Sequence, residues 1–314
     1  MERMLKYIAL ASRKPAIAFP AIKGMIKTNV FGKKVLRGAE IAVTYRCQAH
    51  CSKCSCRTLV DGRRQEMTRG SIIAVCREMV GLGCIFINVT GGEPLLRADI
   101  ADIVADLSRM PVIVSLATNG LLLDDALFER LKHAGLDVIQ FGISSSSAAE
   151  HDRETGIEGS FDTLLSRIRR AKGLNIEVLL NVVVTKEVLN SRRLKDLAQI
   201  ASENACFLSL VLPAQVGGWR HDPVMLDQKD YSLVKQWLKK KFITMDTETC
   251  YRKGICPAGT EKVYISPYGD LYPCPFIHHK SGNLLELSFS RLWKQMHQNQ
   301  YHQCVNVRPA THGQ

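Results

Sequence analysis

The sequence predicts an α/β chain organised on a parallel sheet, followed by a small cysteine-bearing unit built on a β-hairpin. Three observations carry that expectation. Short runs rich in β-branched residues alternate with amphipathic stretches of helical period from about residue 40 to residue 212. The strand-like runs are apolar nearly throughout, as expected of strands covered by helices in a parallel sheet. Beyond Gln215-Val-Gly-Gly-Trp219 the alternation stops, and cysteines appear at both ends of a hairpin pattern. A composition of 46% hydrophobic and 23% charged residues supplies a core and excludes disordered, collagen-like and coiled-coil chains.

Taken in order, Ile41-Ala-Val-Thr-Tyr45 reads as the first strand and Thr68 to Leu82 as a helix, with Thr68 as N-cap and Gly81 and Gly83 at its end. Cys84 to Val89 is a strand, Ala98 to Leu107 a helix, Val112 to Leu116 a strand and Asp124 to His133 a helix. Strand 137–143, helix 161–172, strand 176–184, helix 191–204 and strand 206–212 complete six strands with five intervening helices. In parallel sheets of this kind the chemistry sits at the C-terminal strand ends. Those ends here carry Cys47, Gly91-Gly92-Glu93, Thr118-Asn119-Gly120 and Ser144 to Ser147. A helix over 227–241 then leads to Val263-Tyr-Ile-Ser266, a turn at Pro267-Tyr-Gly-Asp270, Leu271-Tyr-Pro273 and a helix near 288–297.

The net charge of +12 is unevenly placed. Residues 1–37 carry nine basic side chains against Glu2 alone, residues 38–219 carry 20 basic and 21 acidic groups, and residues 220–314 carry 13 against 8. With the middle of the chain neutral, no nucleic-acid partner is expected. In the arm, Leu5, Ile8 and Ala9, then Ile22, Met25 and Ile26, have helical apolar spacing among lysines and arginines, with Pro15 and Pro20 breaking the run. Basic amphipathic helices lie on anionic membrane surfaces; the alternative is a helix packed on the sheet with its charges in water. The arm lacks a signal-peptide pattern, and no run reaches the ~18 apolar residues of a spanning helix. Eleven cysteines at metal-ligand spacings imply a reducing compartment. The expected location is cytoplasmic, with peripheral contact at the inner membrane face. The expected divisions are a basic arm at 1–37, a parallel-sheet domain at 38–215, a helical linker at 216–245 and a cysteine-bearing domain at 246–314.

Cys47, Cys51 and Cys54 form C-x3-C-x2-C directly after a strand. Three thiolates on a four-iron cubane leave one iron open to a substrate or cofactor. A structural zinc site that adds Cys56 is the alternative. This loop resembles the radical S-adenosylmethionine (SAM) superfamily when taken with Thr90-Gly-Gly-Glu-Pro94, Thr118-Asn119-Gly120, His151-Asp-Arg-Glu-Thr-Gly156 and Gly159-Ser-Phe-Asp162. The resemblance spans roughly residues 40–215. It implies a partial (β/α)6 barrel and a 4Fe-4S cluster on Cys47, Cys51 and Cys54. It also implies SAM chelated to the open iron and cleaved reductively to methionine and a 5′-deoxyadenosyl radical that abstracts a substrate hydrogen. By the same resemblance, Gly91, Gly92 and Glu93 receive the methionine ammonium, and Ser144 and Arg153 match positions that hold the ribose and the SAM carboxylate. Asn181 is a further candidate for that pocket. An arginine fork suits a carboxylate. Two departures fall at the adenosine end: Lys53 stands where an aromatic residue commonly precedes the third cysteine, and Ser144-Ser-Ser-Ser147 lacks the usual acid.

The second constellation is Cys250-x5-Cys256-x17-Cys274, followed by Cys304. Four thiolates saturate a cluster, which then stores or passes electrons; zinc is again the alternative. Cys256 through Gly269 to Cys274, and Gly282-Asn-Leu-Leu-Glu286 to Trp293, resemble the SPASM domain in its shortened form, twitch. That implies a small C-terminal domain of β-hairpin plus helix and one auxiliary 4Fe-4S cluster on Cys250, Cys256, Cys274 and Cys304. Cys76, Cys84 and Cys206 read as buried small hydrophobes, Cys56 as a bystander and His278-His279 as an exposed loop.

The expected function is therefore a radical SAM enzyme acting on a small-molecule or lipid-like substrate, supplied with electrons by a flavodoxin or ferredoxin, its catalytic residues unassigned. The arm is what favours a lipid. Peptide or protein maturation on a separate precursor is the alternative. Only 46 residues precede Cys47, so a leader-binding domain is expected to be absent or separate. A non-catalytic iron–sulfur or zinc protein is the third reading; it leaves Gly91-Gly92-Glu93 and Arg153 unexplained.

Overall fold

Seven parallel strands form the spine of the chain, whose structure is a computed structural model describing residues 14–222, 225–245, 256–277 and 279–298. They are β1 (Gly38–Thr44), β2 (Phe86–Gly91), β3 (Ile113–Thr118), β4 (Val138–Gly142), β5 (Glu177–Val183), β6 (Phe207–Val211) and β7 (Ile243–Met245). Each pairs with its sequence neighbour. Between them run α2 (Arg69–Gly81), α3 (Ile100–Ser108), α4 (Asp125–His133), α5 (Ala148–Thr155), α6 (Ser160–Gly173), α7 (Lys186–Asn190), α8 (Arg193–Glu203) and α9 (Gln228–Trp237), with α1 (Ala18–Asn29) preceding β1. The helices begin where the residue chemistry says they should. Thr68 accepts from the Ser71 amide, Asp124 from the Leu127 amide, and Asp227 forms a reciprocal capping box with Asp230.

Alternation along the strands separates two faces. Ile41 and Val43, Ile87 and Val89, Val114 and Leu116, Ile139 and Phe141, Val178 and Leu180, and Leu208 and Leu210 join the main core with the helices. Residues of the opposite parity face the barrel lumen. Across its middle runs a polar row: Gln140 Nε2 donates to Asn88 Oδ1 (3.1 Å) and Ser115 Oγ (2.8 Å), and Asn181 Nδ2 donates to Gln140 Oε1 (2.9 Å). Buried amides need such partners, and each amide donor bonded here has one.

The described part of the basic arm closes the lumen at the N-terminal ends of the strands. Ile17 packs on Ile85, Ile113 and Val138, and Ala21, Phe86 and Leu179 surround them. Lys14 Nζ donates to Val112 O (2.7 Å) and Asp137 Oδ2 (2.9 Å), fixing the entry to α1.

The C-terminal segment extends the same sheet. β8 (Lys262–Ile265) pairs in parallel with β1, and β9 (Asp270–Tyr272) and β10 (Gly282–Asn283) follow antiparallel, giving the order β10-β9-β8-β1 through β7. β1 would otherwise be an edge, and edges need cover. α10 (Phe289–Gln298) packs on α2, where Ser290 N donates to Glu78 Oε2 (3.2 Å). The six-strand reading thus gains β7 from the end of the 216–245 segment. The three-residue strand has no alternation long enough to register as a period.

Candidate active site

The cysteine loop leaves β1 at Thr44 and is held by backbone on three sides. Gly92 N donates to Thr44 O and Glu93 N to Arg46 O, both at 2.8 Å, so the end of β2 is laced to the root of the loop. Ser52 N donates to Glu154 O at the end of α5 (3.2 Å), and Gly218 N donates to Cys54 O (2.8 Å). A Cβ on Gly92 would lie 2.4 Å from both Tyr45 O and Arg46 O. On Gly217, at φ +52°, it would lie 2.4 Å from Cys54 O. Both glycines are thus required by this chain's own backbone. The Gly217-Gly-Trp219 segment, which marks only a domain boundary in the sequence, is a strap across the cysteine loop. Lys53 on that loop pairs with Asp222 and lies 5.4 Å from the Trp219 ring centroid.

Cys47, Cys51, Cys54 and Cys56 are all half-buried in this one loop. Burial raises the thiols of Cys47 and Cys51. Cys54 is lowered to about 6 because the Cys56 thiol, 3.7 Å away, hydrogen-bonds to it; the same contact and burial raise Cys56. Cys56 in turn reaches Gly91 O at 3.5 Å. The Ala49 amide donates to Cys47 Sγ (3.4 Å) and Asn119 Nδ2 approaches it at 3.8 Å, and such donors tune bound thiolates. Among the described residues no three His, Cys, Asp or Glu side chains gather as ligands of a single metal ion. A cubane instead asks each thiolate to bind a different iron, so the donor set fits a cluster better than zinc.

Glu93 is fully buried and its carboxylate is committed within the protein. Oε1 accepts from Leu95 N (3.0 Å) and Thr118 Oγ1 (2.7 Å), and Oε2 accepts from Asn119 N (2.8 Å). Burial pushes the carboxyl up against the pull of these three donors. Through Asn119, which also accepts from Gln48 Nε2 (3.2 Å), the tie runs on to Cys47. Gly91, Gly92, Glu93 and Cys47 are therefore one connected body.

Ser144 lies at the end of β4, its amide donating to His151 Nδ1 (3.3 Å) and its hydroxyl 3.0 Å from the same nitrogen. His151 is buried and desolvation lowers it, and because the Ser144 amide donates to Nδ1, that nitrogen is the acceptor. The sequence motif around Arg153 has a local purpose in Asp152, which accepts from Gly159 N, Ser160 Oγ and Phe161 N and so starts α6. Arg153 itself is exposed and forms no hydrogen bond or ion pair with the described residues. Asn181 belongs to the lumen row and is spoken for by Gln140. Asn119, His151 and the strap have structural roles that the sequence reading did not assign. Asn119 follows the end of β3 and the strap contains a glycine pair, whereas His151 lies within the short polar helix α5.

At the other constellation, Cys274 is buried just past β9 and Cys256 is half-buried. Gly259 N donates to Pro273 O (3.1 Å), which brings the Cys256 turn against the strand end that carries Cys274. Cys250, Cys304 and His278 lie outside the described residues. Cys76, Cys84 and Cys206 are buried, and none of the nine cysteines among the described residues is disulfide-bonded.

Comparison with known proteins agrees with this geometry. The family model described as the radical SAM superfamily matches residues 41–199, and an iron–sulfur cluster-binding domain model (SPASM) matches residues 256–312. A PqqA peptide cyclase from Gluconobacter oxydans is 26% identical over 245 residues, covering 74% of this chain and 68% of that protein. An AdoMet-dependent heme synthase from Methanosarcina barkeri is 24% identical over 281 residues, covering 80% of each. Among solved structures, Streptococcus suis SuiB bound to its precursor peptide SuiA superposes with a TM-score of 0.68 at 17% identity, over 87% of this chain and 68% of that one. The chain belongs to the radical SAM superfamily, whose cofactors are SAM and a SAM-binding 4Fe-4S cluster, and it joins to that barrel a C-terminal SPASM-type iron–sulfur domain.

Proposed function

We propose that this chain is a peptide-modifying radical SAM enzyme acting on a separately made precursor. The observation that carries the reading is the similarity to a PqqA peptide cyclase over 74% of this chain. This exchanges the order of the two sequence-based expectations, placing the peptide alternative ahead of a small-molecule or lipid-like substrate.

When bound, the cluster and SAM supply hydrogen-atom abstraction. Cys47, Cys51 and Cys54 are the proposed ligands, their loop held in place by the strap and by the end of β2. The Gly91-Gly92-Glu93 backbone presents the methionine end of SAM with a rigid edge, Glu93 acting from beneath by fixing that edge to Asn119. Ser144, held by His151, would meet the ribose, exposed Arg153 would take the carboxylate, and Asn181 would border the pocket from the lumen. Cys256 and Cys274, with Cys250 and Cys304, are the proposed auxiliary ligands. A flavodoxin or ferredoxin is the proposed electron donor.

The test is anaerobic incubation of the reconstituted chain with SAM, a reductant and short peptides encoded beside its gene, read by mass spectrometry. The reading expects a peptide that loses hydrogen in step with 5′-deoxyadenosine release. Turnover stimulated by porphyrin precursors or lipid extracts, with every peptide unchanged, overturns it.

A further inference from the structure

The face of α1 turned away from the barrel is unusual for a water-exposed helix. Its inner face, Ile17, Ala21, Gly24 and Thr28, follows the i, i+4, i+7, i+11 spacing and seals the lumen. Directly opposite lie Phe19, Ile22, Ile26 and, at the C-cap, Val30, a stripe of the same period, with Met25 beside it and exposed Phe31 just past the helix end. Phe19 is 73% exposed, Val30 70% and Phe31 65%. Of the eleven large hydrophobic residues exposed among the described residues, these six fall within thirteen positions, and the other five are scattered. Scattered apolar residues need no explanation, whereas a contiguous stripe does.

The charges beside the stripe are of one sign. Lys23 and Lys27 flank it along the helix, Lys33 and Lys34 follow it, and no Asp or Glu occurs from Lys14 to Ala39. Lys23 Nζ lies 5.9 Å from the Phe19 ring centroid, with its stem along the apolar surface. The helix is about 18 Å long and lies across the base of the barrel, so the stripe is a flat, basic-edged apolar band.

We propose that this band docks the enzyme on an anionic lipid bilayer. Aromatic and aliphatic side chains enter the acyl boundary while the lysines meet lipid phosphates, the arrangement that distinguishes interfacial helices from core helices. The band lies at the N-terminal ends of the strands and the cysteine loop at their C-terminal ends, so docking points the site toward the aqueous side. The arm is then a tether and not a route for a lipid substrate, and the inference stands independently of which substrate is used.

Sedimentation of the full-length chain with vesicles of phosphatidylcholine, with and without phosphatidylglycerol, tests this. The chain is expected to sediment with the anionic vesicles, less so at high salt. The triple variant Phe19→Ser, Ile22→Ser, Ile26→Ser is expected to lose at least about tenfold of that partition, and Lys23→Gln with Lys27→Gln severalfold. The pair Val30→Ser, Phe31→Ser lies beyond the helix and should weaken binding with the fold intact. All variants keep residues 1–13, so any contribution from those residues is common to each. Failure of the native chain to sediment with either vesicle overturns the proposal. So does equal partition of the variants, or a native dimer that the triple variant converts to monomer with no vesicle binding.

Discussion

Glu93→Gln separates a scaffolding carboxylate from one that serves a bound cation. The substitution keeps shape and replaces one acceptor oxygen by an amino group. If that group takes the Oε2 position it faces the Asn119 amide, now 2.8 Å away, and two donors confront each other. If it takes the Oε1 position, the Thr118 hydroxyl can turn but the Leu95 amide, 3.0 Å away, cannot. Either way one buried N–H loses its partner, a loss of about 1–3 kcal/mol, partly offset because a neutral amide escapes the desolvation that raises the carboxyl. A net destabilisation of about 1–2 kcal/mol is expected for the cofactor-free protein, and Glu93→Ala, which strands all three donors and leaves a cavity, about 3–5 kcal/mol. The pH dependence has a definite sign. A carboxyl raised above its unfolded value of 4.5 contributes stability fully present below that pH and lost as pH rises through the folded value. Glu93→Gln should remove that component. Urea unfolding of the cofactor-free chain measures both effects. Unchanged unfolding together with weakened SAM binding would refute the scaffold role.

Gly217→Ala should leave the barrel folded but lower iron retention, because its Cβ would stand 2.4 Å from Cys54 O and push the strap off the loop; full iron content by chemical assay would count against this. Arg153→Lys should leave unfolding unchanged within about 0.5 kcal/mol, since Arg153 is exposed, forms no hydrogen bond or ion pair with the described residues, and the substitution keeps the charge that acts on Glu150, while SAM affinity by calorimetry falls about tenfold, or about 1.4 kcal/mol. Asp227 is lowered from 3.8 to about 2, first by its hydrogen bond from Lys186 and then by the amides it caps. Its contribution is therefore present above pH 3.8 and lost as pH falls toward about 2. Asp227→Asn keeps the cap oxygen and should flatten the acid side of the stability profile in that window, followed by circular dichroism.

Most of the α/β order was legible because its signals are local. Thr68 and Asp124 begin helices through their own side chains, and the strands stand out as short, nearly continuous apolar runs between the helices. What escaped the reading depends on contacts between distant residues. α5 is short and polar, with His151 as its only buried residue, so it carries no apolar stripe to detect. The role of Gly217 is set by a loop more than 160 positions earlier. Glu93 illustrates the limit within the site: its motif was visible, but the division between backbone contact and side-chain support becomes apparent only when Thr118 and Asn119 are seen to hold it. The lumen row had a signal that was not used, one polar residue at a similar height in each of β2 to β5.

The junction of β8 with β1 gives the C-terminal segment a second duty, as an intramolecular template for the first cysteine loop. Past Cys56 the chain is moored at three points to the hairpin: Met67 N donates to Pro267 O (2.7 Å), Asp61 N to Tyr268 Oη (2.7 Å), and Arg64 grips Asp270 through both guanidinium nitrogens. Tyr264 Oη meets Tyr45 Oη at 2.9 Å two residues before Cys47. The hairpin thus braces the loop that follows β1, and a lesion in β8 or β9 is expected to loosen the first cysteine loop as well as the second.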